Sequence, residues 1–311
     1  MKYCFGIDLG GTTVKLGLFL ESGEVIEKWE IKTCIENEGE QILPDIAKAV
    51  REKMEDRALL KEDVIGAGIG VPAPVLADGS VPRAINIGWG YKAVKKELEE
   101  LTGLKVAVGN DANVAALGEY WLGAGKGYKD MLMATLGTGV GGGIVSDGKL
   151  LTGAHGAGGE FGHMIVNHEE TECCGCGRKG CIEMYASATG IARLARRRLA
   201  KDNEATSLRT VENLTAKEVF DAVKEGDKVA IEIAEQFGNY LGNVLINLST
   251  VTDPAVIVIG GGVSKAGKIL LDYVQKPFVE NAYYINKDTK FTLAELGNDA
   301  GICGAAKLVI G

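Results

Sequence analysis

Residues 3–20 read YCFGIDLGGTTVKLGLFL, and the way this stretch turns decides the fold. Two apolar runs flank a Gly-Gly-Thr-Thr turn, and ESGEV at 21–25 turns the chain again. Apolar runs separated by short glycine turns predict a meander of antiparallel strands. Residues 130–150, DMLMATLGTGVGGGIVSDGKL, repeat the pattern: an apolar strand, a Leu-Gly pair in a Gly/Thr turn, an apolar strand and a glycine turn. Leu9-Gly10 and Leu136-Gly137 occupy matching places. A repeat at so long an interval predicts a duplicated domain rather than a solenoid.

Helical and strand patterns alternate around these hairpins. Ile42, Ile46, Ala49, Val50 and Met54 share one face of a helix over 41–57. VIGAGIGVPAPV (64–75) reads as a central strand ending in a proline-punctuated loop, and YKAVKKELEELTG (91–103) as a helix closed by Gly103. KVAVGND (105–111) is a strand with Asp111 at its carboxyl end. A long helix over 230–248 leads to the strand AVIVIGGG, and a last helix, Ala300–Val309, returns to pack on the first domain. With 311 residues, two cores are expected. The predicted division is a small α/β domain of 1–110 plus 300–311 and a larger one of 111–299 carrying a cysteine-rich segment at 163–183. Each glycine turn is expected to face a cleft between them, at the strand ends where α/β folds bind ligands.

A net charge of −8 lacks the basic stripe that nucleic-acid binding requires. The one dense basic run, RLARRRLAK at 193–201, reads as a solvated helix face. No apolar run is long enough to cross a bilayer, and the N-terminus has no secretory pattern, so no membrane partner and a cytoplasmic setting are expected. Cys4, Cys34 and Cys303 lie scattered and read as inert thiols.

DLGGTTVKLG (8–17) has the materials for gripping phosphate, namely glycines that admit backbone amides and threonine hydroxyls. A plain hairpin turn explains it equally well. Asp8 is too near those oxygens to be their direct ligand, a conflict that a bound Mg²⁺ resolves. GTGVGG at 137–142 satisfies GxGxxG, but 143–145 continue as a strand where a dinucleotide site needs a helix, so a second phosphate hairpin fits better. IGGGVS at 259–264 follows a strong strand and either admits a flat adenosine or is only a tight strand-to-helix turn. GNDAN puts Asn110 and Asp111 just after a strand, where a carboxylate can take a hydroxyl proton; Asp111 is equally a helix N-cap.

CGCGRKGC supplies Cys174, Cys176 and Cys181 at paired spacing, and His163 can supply the fourth ligand of a tetrahedral zinc; the alternatives are free thiols or a redox pair of Cys173 and Cys176, which lacks the helical setting such a pair needs. Four protein ligands leave no open position, so the zinc is structural. If one imidazole nitrogen of His163 takes the metal, the other can face a ligand. Glu160, His163 and Glu183 with Asn110 and Asp111 then make a pocket dense in hydroxyl-binding groups, suited to a sugar.

Together these segments resemble the ROK family of sugar kinases and repressors. DLGGTTVKLG, GVPAPV, GNDANVAALGE, TLGTGVGGGI, GAGGEFGH, CGCGRKGCIE, VIGGGVS and LGNDAG occur in the family's order across nearly the whole chain, and NIGW (86–89) and ASATGI (186–191) look like its bacterial glucokinase branch. The resemblance implies a two-domain actin-like or hexokinase-like ATPase fold, with a ribonuclease H-like motif duplicated around an interdomain cleft. It implies that Asp111 is the general base and that Asn110, Glu160, His163 and Glu183 hold the sugar. Asp8, Gly10, Gly11, Thr12, Thr13, Lys15, Gly137, Thr138 and Gly139 surround the phosphates of ATP and its Mg²⁺, and Gly260, Gly261, Gly262 and Val263 flank the adenosine. His163, Cys174, Cys176 and Cys181 bind zinc, with Cys173 an additional thiol outside the family's pattern. The activity implied is ATP-dependent phosphorylation of the glucose 6-hydroxyl, and a homodimer is expected. The alternatives are an N-acetylglucosamine or N-acetylmannosamine kinase of the same family, or a non-catalytic sugar sensor. The resemblance implies that repressors of the family carry a DNA-binding domain before the first hairpin; with that hairpin's turn starting at Asp8, none is expected here. An actin-like filament or chaperone ATPase explains the hairpins but not the cysteine segment.

Overall fold

The computed structural model describes residues 1–311 as two compact units. The first takes 1–127, 149–159 and 295–311, and the second 128–148 and 160–294.

In the first unit, strands β1 (Tyr3–Leu9), β2 (Thr13–Leu20), β3 (Val25–Lys32), β4 (Val64–Val71) and β5 (Val106–Asn110) form a sheet of order β3-β2-β1-β4-β5. β1, β2 and β3 are an antiparallel meander, and β1, β4 and β5 run parallel. The second sheet has β6 (Met131–Leu136), β7 (Val140–Ser146), β8 (Lys149–Leu150), β9 (Val256–Gly260) and β10 (Lys290–Leu293) in the order β10-β9-β6-β7-β8. β6 and β7 are antiparallel, while β6, β9 and β10 run parallel. Strand for strand the two sheets share one plan. The duplication expected from the two hairpins is therefore present, and GTGVGG turns between strands, not into a helix.

Phe5, Ile7 and Leu9 line one face of the first sheet and pack on the helix Ile42–Asp56 through Ile42, Ile46 and Val50. The other face carries the helix Ala300–Ile310, which lies so close that a Cβ on Gly68 of β4 would sit 1.7 Å from the Ala305 carbonyl oxygen. The helix Asp111–Leu122 packs backbone to backbone on that terminal helix: a Cβ on Gly304 would lie 1.7 Å from the Val114 oxygen. This contact places the helix starting at Asp111 in the first unit, whereas the sequence division opened the larger domain at Asp111. In the second unit, the helix Lys228–Thr252, expected over 230–248, buries Ile233, Phe237, Leu241 and Leu245 in the same core as Leu132, Ile257 and Ile259 of the sheet.

The basic run differs in part from its expectation. It lies on the helix Ala188–Leu199 and just beyond, and Arg193, Arg197 and Arg198 are all paired with carboxylates. Three of its arginines form a comb of ion pairs, while Arg196 and Lys201 are exposed as expected. No helix is long and apolar enough to cross a membrane.

Candidate active site and metal cluster

The first unit places its predicted residues along one end of its sheet. Asp8 pairs in register with Lys15 across the hairpin and with Gly70 of β4; Val71 in turn pairs with Asn110 of β5. Between Leu9 and Val14 the tip is closed by the Gly10 amide donating to the Thr13 oxygen at 3.1 Å. Burial raises the Asp8 carboxyl above its ordinary range, opposed by Lys15. A buried acid beside a lysine at a glycine tip has the donor chemistry for a divalent cation on its phosphate ligand.

Asn110, not Asp111, is the cap of the helix that follows β5. Its side-chain oxygen accepts the Ala112 and Asn113 amides at 3.0 and 3.1 Å. Asp111 is the first helical residue, with Oδ1 accepting its neighbour's amide at 2.8 Å. The weighed alternative, Asp111 as the cap, thus passes to its neighbour. The helix N-terminus stabilises the Asp111 carboxylate.

The second unit gathers Gly137, Thr138, Gly139, Glu160, His163, Glu183 and the cysteines. The Gly137 amide donates to the Gly139 oxygen at 3.0 Å, closing a tip between Leu136 and Val140. Glu183 reaches this tip directly: its Oε2 accepts the Val140 amide at 3.0 Å, and its Oε1 stands 3.5 Å from the Cys174 sulfur. One carboxylate therefore touches both the hairpin and the metal cluster. Gly139 has no room for a side chain there, since a Cβ would lie 2.2 Å from Glu183 Oε2. Glu160 precedes the short turn Phe161–His163, and its carboxyl is raised by burial, with His163 opposing and Glu183 reinforcing. Gly260 ends β9 opposite Thr135, and the chain continues through the turn Gly262–Ala266, which includes Val263. The Gly260–Val263 stretch therefore starts at the same sheet end as the tip.

Ligand atoms of His163, Cys174, Cys176 and Cys181 all lie within 4.8 Å of one another. The Cys174 sulfur is 3.8 Å from His163 Nδ1, and the Cys176 and Cys181 sulfurs are 3.6 Å apart. A tetrahedral ion with bonds of 2.0–2.3 Å spaces its ligands about 3.5–3.8 Å apart, so the cluster fits a metal. Burial pushes the Cys174 thiol up to about 12, and a cation taking the proton's place relieves that penalty. Cys173 is exposed and stands outside the cluster. With Nδ1 toward the sulfurs, Nε2 is the nitrogen on the opposite edge of the ring.

Sequence reasoning missed what anchors this segment. Glu170, with its side chain 1% exposed, receives Arg197 bidentately at 2.9 Å, the Tyr185 hydroxyl at 2.6 Å and an ion-pair contact from Arg193 at 2.6 Å. The only available signal was the four-residue spacing of Arg193 and Arg197 on a helix.

Comparison with known proteins agrees with this geometry. The pattern of the ROK family matches residues 4–311. A glucokinase of Halalkalibacterium halodurans is 44% identical over 99% of this chain and 95% of its own, and a glucokinase of Thermotoga maritima is 36% identical over 98% and 96%. The crystal structure of a ROK family glucokinase from Streptomyces griseus, in complex with glucose and AMPPNP, superimposes with a TM-score of 0.77 at 35% identity, covering 98% of each chain. The fold is the hexokinase-like, actin-like ATPase fold, and the chain belongs to the ROK family.

Proposed function

We propose that this protein is a glucokinase, transferring the γ-phosphoryl group of ATP to the 6-hydroxyl of glucose. The observation that carries the reading is Glu183, whose carboxylate touches a glycine-threonine tip and a Cys3His cluster at once. It joins a phosphate-binding element to a group of hydroxyl acceptors, the pairing that a sugar kinase needs.

Phosphoryl transfer asks the protein mainly for positioning and charge neutralisation. In the proposed reaction Asp111 takes the proton of the 6-hydroxyl as that oxygen bonds to the γ-phosphorus. The bond from phosphorus to the bridging oxygen breaks, giving glucose 6-phosphate and ADP. Asn110, Glu160, His163 and Glu183 orient the sugar by its other hydroxyls. The tips at Gly10–Thr13 and Gly137–Gly139, with Lys15, receive the phosphates. Mg²⁺ supplies charge neutralisation on those phosphates, and Asp8 is the residue that would hold it. For the adenosine, an apolar pocket of about 390 Å³ opens beside Gly262 and Val263, lined also by Ala188, Phe220 and Ala266. Zinc on His163, Cys174, Cys176 and Cys181 supplies a structural cross-link. A cytoplasmic, homodimeric enzyme belongs to the same reading, and sedimentation of the purified chain tests the second part.

ADP release coupled to a reporter, run across hexoses and acetamido-hexoses, tests the assignment. Glucose should give the highest kcat/KM. ATP turnover independent of any sugar, or a clear preference for an acetamido-hexose, would contradict it.

A further inference from the structure

The two glycine tips are held by the same device. In the second unit the Ala188 amide donates to the Gly137 oxygen at 2.8 Å, and the Thr189 hydroxyl donates to the Thr138 oxygen at 2.9 Å. In the first unit one residue does both jobs: the Thr33 amide donates to the Thr12 oxygen at 3.0 Å, and the Thr33 hydroxyl donates to the Gly10 oxygen at 2.7 Å. Thr33 immediately follows β3, whereas Thr189 lies in the first turn of the helix Ala188–Leu199. The two braces thus arise from unrelated local structures; each sets one amide and one hydroxyl on two tip carbonyls, one of them that of the first glycine, Gly10 or Gly137.

The consequence follows from peptide geometry. In a planar trans peptide the carbonyl and the next residue's amide point in opposite directions. Holding the Gly10 carbonyl toward Thr33 turns the Gly11 N–H away from it. Holding the Gly137 and Thr138 carbonyls toward the helix start turns the Thr138 and Gly139 N–H groups away. None of these three amides makes a hydrogen bond within the protein, and Gly11 and Thr138 are exposed. An unheld tip could rotate its peptides and present carbonyl oxygens, which repel an anion. Proton accounting supports the assignment at Thr189. Its hydroxyl also meets Ser187 Oγ at 3.0 Å, but Ser187 has its own proton to donate, to the Glu183 carbonyl or to Thr189. The single Thr189 proton is thereby available to Thr138.

We propose that Thr33 and Thr189 are positioning residues for the nucleotide, each hydroxyl locking a tip so that its amides face the phosphates. This rests on the reading of the tips as phosphate sites and adds two residues that the nucleotide need not touch.

The test replaces each hydroxyl by a methyl group of the same shape. Binding of Mg·AMPPNP without sugar is measured by calorimetry for wild type, Thr33→Val, Thr189→Val and the corresponding serine variants. Each valine variant should lose about three- to tenfold in affinity, the worth of one hydrogen bond. Serine should restore affinity at both sites. Thr189 is exposed, so its variant should keep the wild-type melting temperature, and Thr189→Val alone decides the matter should buried Thr33→Val fold poorly. Affinities within about twofold of wild type in Thr189→Val, or serine variants as weak as the valine ones, would overturn the proposal. Hexose-dependent ADP release by the wild type is a separate readout. A chain that binds nucleotide and loses affinity in the valine variants, but phosphorylates no hexose, refutes the glucokinase reading and sustains this one.

Discussion

Two aspartates stand at one end of the first sheet, and their surroundings assign them different work. Asp8 is half-buried and pressed so near Gly301 of the terminal helix that a Cβ there would meet its carboxyl carbon at 2.6 Å. Its charge is costly and calls for a cation. Asp111 opens a helix whose cap is its neighbour, so its carboxylate is stabilised while Asn110 does the capping. At the same scale, Gly139 is the residue on which Glu183 depends. Gly139→Ala should push the carboxylate off the Val140 amide and raise KM for both glucose and ATP. Steady-state kinetics check this; a KM change confined to one substrate would separate Glu183 from the other.

Among the elements, the helix Ala188–Leu199 does two jobs. Its first turn holds the second tip, and its arginines hold the segment that enters the metal cluster. Arg197 first, then Tyr185 and Arg193, keep the Glu170 carboxyl far below its ordinary value of 4.5 against the effect of burial. Because the folded value is depressed, this contribution is present above the unfolded value and is lost as pH falls below it. Glu170→Gln should destabilise the protein by about 3 kcal/mol near neutral pH by leaving two arginines under-paired. The gap between wild-type and variant melting temperatures should hold above about pH 5 and narrow steadily as pH falls below it; a constant gap would mean the carboxylate's charge is irrelevant. The contact between the helices Asp111–Leu122 and Ala300–Ile310 is equally specific. Gly304→Ala should cost about 1–3 kcal/mol in chemical denaturation, since its Cβ would run into the Val114 carbonyl. Such contacts explain what the sequence left unread. Period and turn chemistry revealed the hairpins, the long helix and the duplication. Which glycines admit a crossing backbone, which arginines find Glu170, and which threonines reach a tip all depend on residues far apart in the chain. The cysteine set was legible because metal geometry imposes short spacings, and Cys173 could be set aside only once its position was seen.

For the molecule as a whole, the first unit supplies the proposed base and Asn110, and the second the other proposed sugar ligands, Glu160, His163 and Glu183, each on its own copy of one sheet plan. The Cys/His cluster matters to this division because His163 is both a proposed metal ligand and, through its other nitrogen, a proposed sugar contact. Cys176→Ser should lose bound zinc and weaken glucose affinity together, by roughly tenfold or more. Elemental analysis paired with calorimetry reads both, and unchanged affinity in zinc-free protein would detach the cluster from the sugar. The central claim is that Asp111 takes the proton of the 6-hydroxyl. Its most direct measurement is Asp111→Asn, assayed for glucose-dependent ADP release and, in parallel, for glucose binding. The account predicts a loss in kcat of at least about a hundredfold with sugar binding retained; near-normal turnover in that variant would contradict it.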